Sequence, residues 1–243
     1  MIFEIIKDSL EYTFKDKSIL KIGILSILSI LIIPLFILFG YSYRTTLIGI
    51  NSMINKEDPK PKFDNIKEMI VQGGKIIILC VYLLPVILAT FFFNVNGLLY
   101  KIIPTVSGIS IDFNFEILAI LAIIGFICFI FISVAIPNMI KYGGSLKAGF
   151  KIKEIISIIK NVSIGNYILF WGTFFVIFGG LLTLRSFIVE FLTDTLFSVG
   201  ITLTEPIILG IYIFILYFFI VPIFVISLSR GIALLYDMGQ TCE

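Results

Sequence analysis

The stretch ILAILAIIGFICFIFISVAIPNMI fills residues 117–140 and contains no Asp, Glu, Lys or Arg. An α-helix rises about 1.5 Å per residue, so about 20 apolar residues cross a hydrocarbon core of about 30 Å. The stretch therefore predicts one transmembrane helix. Three more runs without a charged residue predict three further full transmembrane helices, at residues 76–100, 161–184 and 206–229.

The composition of the whole chain agrees with a membrane protein. Hydrophobic residues make up 59% of the 243 residues and charged residues 14%, and the mean hydropathy is +1.11. Soluble domains carry about 25% charged residues, so the composition excludes an ordinary soluble fold. A net charge of +2, with the basic residues spread along the chain, does not indicate a nucleic-acid partner.

The chain lacks the residue patterns that most catalytic and metal sites need. Histidine, the commonest acid–base catalyst and metal ligand, is absent. Cys80, Cys128 and Cys242 are too few and too widely spaced for a thiolate metal site or a disulfide framework. No nucleotide-binding, zinc-protease or hydrolase motif occurs. We therefore expect no catalytic residues, no metal site and no cofactor.

The distribution of basic residues predicts the topology. Lys and Arg near transmembrane helices stay on the cytoplasmic side. Of the 18 basic residues, all except Lys101 and Arg185 fall on one side if residues 19–55 enter the bilayer and return on the same side. This arrangement satisfies the rule best. It predicts a multi-pass protein of the cell membrane with both termini in the cytoplasm.

Residues 19–55 are therefore predicted to form a re-entrant or short N-terminal hairpin. Residues 22–43 carry no charge, but Pro34 lies in their middle and lacks the N–H that a continuous helix needs. A hairpin with its tip at Pro34 and about ten residues per arm reaches the bilayer midplane. One simple crossing and two full crossings stay open as deeper alternatives. Two crossings would put Arg44 near the bilayer centre, at a cost of about 2.5–3.5 kcal/mol.

Three segments are predicted to lie on the cytoplasmic membrane surface as amphipathic helices. Residues 1–18 place apolar and charged side chains on opposite sides by helical spacing: Phe3, Ile6, Leu10 and Phe14 against Glu4, Lys7, Asp8, Glu11 and Lys15. The stretches IKEMI at residues 66–70 and IKEII at residues 152–156 repeat this pattern ahead of a predicted transmembrane helix. Their apolar faces are predicted to be Phe63, Ile66, Met69 and Ile70, and Ile152, Ile155, Ile156 and Ile159.

Three polar residues near the cytoplasmic ends of apolar runs are the candidate binding positions. Arg44 and Arg230 each follow a run, where a long basic side chain reaches lipid phosphate or packs at the interface. Asn138 follows Pro137 and is placed to hydrogen-bond the backbone carbonyl that the proline frees. Membrane lipids are thus the expected partners. On the other side, residues 185–205 are predicted to form a short helix along the outer surface.

Several stretches resemble one known family. They are YTFKDKSIL at residues 12–20, IIPLFILFGYSYR at 32–44, DPKPKFDNIKEMIVQGGK at 58–75 and IPNMIKYGGSLKAGFKIKEIISII at 136–159. With these stretches the chain resembles the archaeal integral membrane proteins catalogued as domain-of-unknown-function family 4013. The resemblance implies a polytopic membrane protein. It carries over neither an activity nor catalytic residues.

Together these patterns predict an all-α, polytopic helical membrane protein, with residues 1–243 forming a single integral membrane domain. It has cytoplasmic amphipathic helices, the N-terminal hairpin and four full transmembrane helices. The missing catalytic groups favour a non-enzymatic scaffold, anchor or regulator of a membrane complex, partnered by a membrane protein or by a second copy of the chain. The alternative is a transporter or channel for a lipid or a small apolar or zwitterionic solute, which the prolines within the runs favour.

Overall fold

The structure is a computed structural model that describes residues 1–15, 18–29, 31–95, 100–105, 108–198 and 205–240. The α-helices in these ranges are, in chain order, α1 (Ile2–Phe14), α2 (Ser18–Leu28), α3 (Ile32–Ile50), α4 (Ile66–Leu79), α5 (Leu84–Val95), α6 (Phe115–Lys141), α7 (Leu146–Gly149), α8 (Ile152–Val162), α9 (Ile164–Ser198), α10 (Glu205–Ile215) and α11 (Val221–Gln240). A 3₁₀ turn at Cys80–Leu83 joins α4 to α5, and a π-helical turn at Leu216–Ile220 joins α10 to α11. The strands β1 (Tyr100–Thr105) and β2 (Gly108–Phe113) pair antiparallel between α5 and α6. The all-α class is confirmed, with this short ribbon as a connection between helices.

Five helical stretches among the described residues are long and apolar enough to cross a membrane: Ile32–Ile50, Ile66–Asn94, Phe115–Lys141, Ile164–Ser198 and Ile207–Gln240. The protein is therefore a multi-pass helical membrane protein. The last four stretches correspond to the four predicted transmembrane helices, of which the first includes residues 96–99, outside the described residues. Most helix ends lie beyond the predicted limits, because a helix continues past a charged residue where no breaker follows.

The predicted surface helix at residues 185–205 is wrong for its described part. Helix α9 has 35 residues and continues without a break to Ser198. No glycine or proline stands between Gly180 and Ser198 to end it. The remaining positions up to residue 204 lie outside the described residues.

Helices α2 and α3 both lie within the predicted hairpin at residues 19–55, and the chain reverses before Pro34 rather than at it. Ile22 of α2 packs in one cluster with Leu38 and Tyr41 of α3, so the two helices run antiparallel and the chain reverses between residues 28 and 32. Pro34 lies in the first turn of α3, where no intrahelical partner is needed for its missing N–H. Helix α2 has 11 residues. At about 1.5 Å per residue it spans about half of a hydrocarbon core, which is too short for a full crossing.

Both ends of this hairpin lie at the same end of the bundle. The backbone N–H of Asn55 donates to Asp8 Oδ1 at 2.9 Å, and Lys60 Nζ donates to the carbonyl of Thr13 at 2.7 Å. Because residues before α2 contact residues after α3, the intervening chain enters and returns. These contacts favour the hairpin over a single simple crossing. We call the end of the bundle that holds α1, residues 51–65, α7 and α8 the polar end.

Helix α1 packs on α11 through a face that differs from the predicted one. Its buried residues are Ile2, Ile5, Ile6, Asp8, Ser9, Tyr12 and Thr13, whereas Phe3 and Phe14 are exposed. The hydroxyls of Ser9 and Thr13 donate to backbone carbonyls of their own helix, at 2.6 and 2.8 Å, which makes their burial tolerable. The predicted apolar side, and the exposed position of Asp8, were wrong because Asp8 is paired inside the protein.

The IKEMI and IKEII segments differ in the structure. Residues 66–70 form the start of α4, which continues directly into a transmembrane stretch, and its Ile66 is exposed while Met69 is buried against α3. The prediction of a separate surface helix there is wrong. Residues 152–156 do begin a separate helix, α8, which ends at Val162 and is followed by Ser163 with a φ of 76°. The buried side of α8 packs against protein and consists of Ile155, Ile158, Ile159 and Val162.

Helices α3 and α4 approach each other through two glycines. A Cβ atom added to Gly73 would collide with the carbonyl oxygen of Phe36, and one added to Gly40 would collide with the carbonyl oxygen of Met69. Small residues that let two backbones touch are a common means of helix packing in membranes. This contact fixes α3 against the rest of the bundle.

Replacement of Gly73 by alanine tests this contact. We expect Gly73→Ala to lower the free energy of unfolding by about 1–3 kcal/mol, because the backbones must separate. Gly179→Ala is the matched control, since nothing lies within 4 Å of a Cβ at that position. The control should be neutral or slightly stabilising, because alanine favours the helix by about 1 kcal/mol. Denaturant titration in detergent micelles measures the free energy of unfolding of both variants. Equal stabilities of Gly73→Ala and Gly179→Ala would contradict the close approach of α3 and α4.

Candidate functional site

Arg230 lies in the middle of α11, within the sequence SLSRGIA, and its side chain is 0% exposed. Its guanidinium has three acceptors from two other segments. Nε donates to Asp8 Oδ2 at 3.0 Å, Nη1 donates to Asp58 Oδ2 at 2.7 Å, and Nη2 donates to Ser52 Oγ at 3.1 Å. The arginine therefore joins α1 and the connection after α3 to the last helix. We call Arg230, Asp8, Asp58, Ser52 and Tyr12 the Arg230 cluster.

The acidic members of the Arg230 cluster have further partners. Asp8 accepts the N–H of Asn55, and the Ser52 hydroxyl is hydrogen-bonded to Asp58. The guanidinium carbon lies 4.9 Å from the centroid of the Tyr12 ring, a cation–π distance. The Tyr12 hydroxyl donates to the carbonyl of Pro59 at 3.2 Å, and burial raises the pKa of this tyrosine.

Opposite effects act on the pKa of Asp58. Burial alone would raise it, but hydrogen bonds from Ser52 and Arg230, together with the charge of the arginine, outweigh burial and lower the pKa. The carboxylate is thus held in its charged form. A carboxylate that is already engaged in this way is a poor proton acceptor, so the arrangement stabilises the fold and offers no general base. The predicted lipid-phosphate role of Arg230 is wrong, because its donors face protein carboxylates and no part of its side chain is exposed.

Arg44 also has protein partners. Its side chain is 13% exposed, and Nη1 donates to the backbone carbonyls of Lys62 and Asp64 at 2.8 and 2.9 Å. Nε donates to Gln72 Oε1 at 3.1 Å. Glu68 lies 3.7 Å from Nη2. Arg44 therefore holds the connection between α3 and α4 against α3. Of its two predicted roles, lipid-phosphate binding and packing, this contact corresponds to packing.

Asn138 joins α6 to α7 and α11. It is fully buried, its Nδ2 donates to the carbonyl of Ala148 at 2.9 Å, and its Oδ1 accepts the Tyr236 hydroxyl at 2.7 Å. The structure does not contain the predicted hydrogen bond from Asn138 to the backbone carbonyl freed by Pro137. The Asn138 side chain points towards α7 instead. Asn138 and Tyr142 also hydrogen-bond Glu154 of α8. Burial alone would raise the pKa of Glu154, but these bonds and Lys151 lower it.

A cavity of about 190 Å³ lies between α3, α4, α6, α9 and α11. Its wall is apolar except for three serines and one tryptophan: Ser42, Ser133, Ser229 and Trp171. Ser42 Oγ and Ser229 Oγ are hydrogen-bonded at 2.6 Å. Because Ser229 is the neighbour of Arg230 in α11, the cavity and the Arg230 cluster share one helix.

The sequence reasoning missed Asp8, Asp58, Ser52 and Tyr12 as members of a site. One signal was present, since uncharged hydroxyl-bearing residues at helical spacing beside Asp8 (Ser9, Tyr12 and Thr13) favour a buried polar face over a solvated one. Among the described residues no group of three or more His, Cys, Asp or Glu side chains is arranged to hold a metal ion.

Loss of the arginine should destabilise the protein strongly. Arg230→Met leaves two buried carboxylates without their cation, and breaking a buried pair in this way costs about 3–5 kcal/mol. The triple variant Arg230→Met, Asp8→Asn, Asp58→Asn should recover part of this loss, because it leaves no unpaired charge. Lys153→Met, at an exposed position, is the control and should change stability by less than about 0.5 kcal/mol. An Arg230→Met protein as stable as the control would contradict the role of the cluster.

Acidification should weaken the Arg230 cluster through Asp58. Its pKa in the folded protein lies below the ordinary value of 3.8, so its contribution is fully present above that value and is lost as pH falls through the lowered pKa. The stability difference between wild type and Asp58→Asn should therefore shrink from pH 5 to pH 3. Unfolding titrations across this range measure it. If the difference in stability between wild type and Asp58→Asn stays constant from pH 5 to pH 3, protonation of Asp58 is not linked to folding.

Comparison with protein families matches residues 25–190 to a family described as protein of unknown function, DUF4013. No curated protein and no solved structure matches the chain. The matched region begins within α2 and ends within α9, so it includes Ser52 and Asp58, whereas Asp8 and Arg230 lie outside it. It covers more than half of the chain and confirms the resemblance seen in the sequence motifs. This membrane protein therefore belongs to the DUF4013 family.

Proposed function

We propose that the protein is a non-enzymatic membrane scaffold that anchors or regulates a membrane complex through its polar end. The observation that carries the proposal is the Arg230 cluster. It clamps α1, residues 52–58 and α11 together, although these segments are far apart in the chain. A rigid surface binds a partner without first ordering itself, which reduces the entropic cost of association.

The surface of the polar end supports the proposal. It presents exposed charged side chains of both signs, with lysines in the majority: Glu4, Lys7, Glu11, Lys15, Lys56, Glu57, Lys147, Lys151, Lys153 and Lys160. Charges at the rim of an interface steer association and select partners. Beneath them Asp8 and Asp58 are both engaged by Arg230, so neither is free for acid–base chemistry. The charged surface is the basis for proposing a protein or a second copy of the chain as the partner. The pairing of both carboxylates is the basis for proposing no enzymatic activity.

The polar end is proposed to face the cytoplasm of the cell, with both termini on that side. The proposal rests on the basic residues of the sequence, of which all except Lys101 and Arg185 fall on one side if residues 19–55 enter the bilayer and return. It also rests on the direct contact between α1 and residues 55–60, which returns the hairpin to the side it came from.

Cysteine labelling in a background without Cys80, Cys128 and Cys242 tests both the partner and the side. Lys153→Cys probes the polar end, and Glu190→Cys, also exposed, probes the far part of α9. We expect an impermeant maleimide to label only Glu190→Cys in intact cells. In inside-out membrane vesicles Lys153→Cys should react at least about tenfold more slowly than after purification, because the partner covers it. Glu190→Cys, which such vesicles enclose, is compared in intact cells instead and should react there as fast as after purification.

Two results would contradict the proposal. Labelling of Lys153→Cys in intact cells would place the polar end outside. Equal rates for Lys153→Cys before and after purification would mean that no partner covers this surface.

A carrier for a lipid or a small apolar or zwitterionic solute is the second candidate, and the cavity beside Ser42 and Ser229 favours it. Liposomes that contain only the purified protein distinguish the two. Solute or lipid flux in them would favour the carrier over the scaffold, because a scaffold acts only through its partner.

A further inference from the structure

We infer that the cavity between α3, α4, α6, α9 and α11 is a binding site for a small apolar molecule with one hydrogen-bond acceptor, taken up from the hydrocarbon phase of the membrane. This inference is independent of the partner proposed for the polar end. It rests on the volume of the cavity, on a lining residue, Trp171, whose buried donor has no acceptor among the described residues, and on an adjoining apolar groove.

The polar groups in the cavity wall define the chemistry of the ligand. Ser229 donates to the carbonyl of Val225 at 2.5 Å, and Ser133 donates to the carbonyl of Ile130 at 2.7 Å. Because Ser229 already donates elsewhere, the Ser42 hydroxyl is the donor in the Ser42–Ser229 pair. These three hydroxyls therefore have no donor left for a ligand.

Trp171 supplies the missing donor. Its side chain is 3% exposed, and its Nε1–H has no hydrogen-bond partner among the described residues. A buried donor without an acceptor carries an energetic cost. A ligand that brings a carbonyl, ether or hydroxyl oxygen into the cavity removes this cost, whereas a purely apolar ligand does not.

The size of the cavity limits the ligand to about one substituted ring. An engineered apolar cavity of about 150 Å³ stays dry and binds benzene, and this cavity has a volume of about 190 Å³. The remaining wall consists of aliphatic and aromatic side chains, among them Phe39, Ile132 and Leu228, and of Cys80, whose thiol donates to the carbonyl of Ile76. A charged or strongly polar ligand would lose its hydration without compensation there.

Phe129 marks the route of entry. It lines this cavity and also an apolar groove between α6 and α9 that contains Gly125 and Phe175. The Phe129 side chain is 37% exposed, and its ring centroid lies 5.5 Å from that of Trp171. The cavity and the groove therefore adjoin at this ring, and the groove is the proposed route by which a ligand dissolved in the bilayer reaches the cavity.

The sequence itself provides the reporter, because Trp171 is its single tryptophan. We would titrate the purified protein in micelles with 4-bromoanisole and with 4-bromoethylbenzene, two probes of equal size in which an ether oxygen replaces a methylene. Bromine quenches tryptophan fluorescence on contact. We expect saturable quenching by both probes and about fivefold tighter binding of 4-bromoanisole, which corresponds to one hydrogen bond of about 1 kcal/mol.

Two pairs of variants complete the test. Cys80→Leu and, independently, Ser133→Leu fill the cavity and should abolish saturable quenching, whereas Cys128→Leu adds bulk in the wall of a different groove and should not. Trp171→Phe removes the donor, so the two probes should then raise the unfolding temperature equally, while the wild type should be stabilised more by 4-bromoanisole. Quenching that never saturates, or that persists in both filled variants, would overturn the site. A preference for 4-bromoanisole that survives in Trp171→Phe would overturn the assignment of the donor.

Discussion

The burial of one arginine determines how the two ends of the chain fold onto the membrane bundle. An arginine without exposed surface is tolerable only if carboxylates accompany it, because removing an ion from water costs several kcal/mol. Asp8 and Asp58 are those carboxylates, and they come from opposite sides of the N-terminal hairpin. Both ends of the hairpin must therefore lie beside the same turn of α11. Electrostatics thus brings both ends of the hairpin to the same end of the bundle.

Helix α3 is the element on which the remaining contacts converge. One of its faces contains Gly40 and lies directly on the backbone of α4. Another face contains Ser42 and Thr46, whose hydroxyls bond to Ser229 and its carbonyl in α11 at 2.6 and 3.3 Å. Lipid does not drive helices together as water does, so close backbone contact and interhelical hydrogen bonds must supply the association. Helix α3 uses both, although it is the shortest of the candidate transmembrane helices.

The amino-acid sequence predicted the apolar helices because runs without a charged residue can be counted in a single chain. It predicted the hairpin because the distribution of basic residues favours a chain that enters the bilayer and returns. It did not predict the Arg230 cluster, because Asp8 and Arg230 are 222 positions apart. A single charged residue on a helix is ordinarily expected to be exposed to solvent. Pro34 was read as a tip because a first-turn proline and a hairpin proline look alike locally. The IKEMI and IKEII stretches were read alike because what separates them, the positive φ at Ser163, lies beyond the repeat.

The position of the Arg230 cluster relative to the family match links the clamp to the cavity. The matched residues 25–190 supply the cavity wall from α3, α4, α6 and α9, but the fifth side comes from α11, which lies outside the match. On that helix Ser229 faces Ser42 in the cavity, and the next residue, Arg230, faces Asp8 and Asp58. Successive residues of a helix point about 100° apart, so the clamp sets the rotation of α11 and with it the side chains that close the cavity. The partners of Arg230 thereby help to determine which side chains of α11 line the cavity.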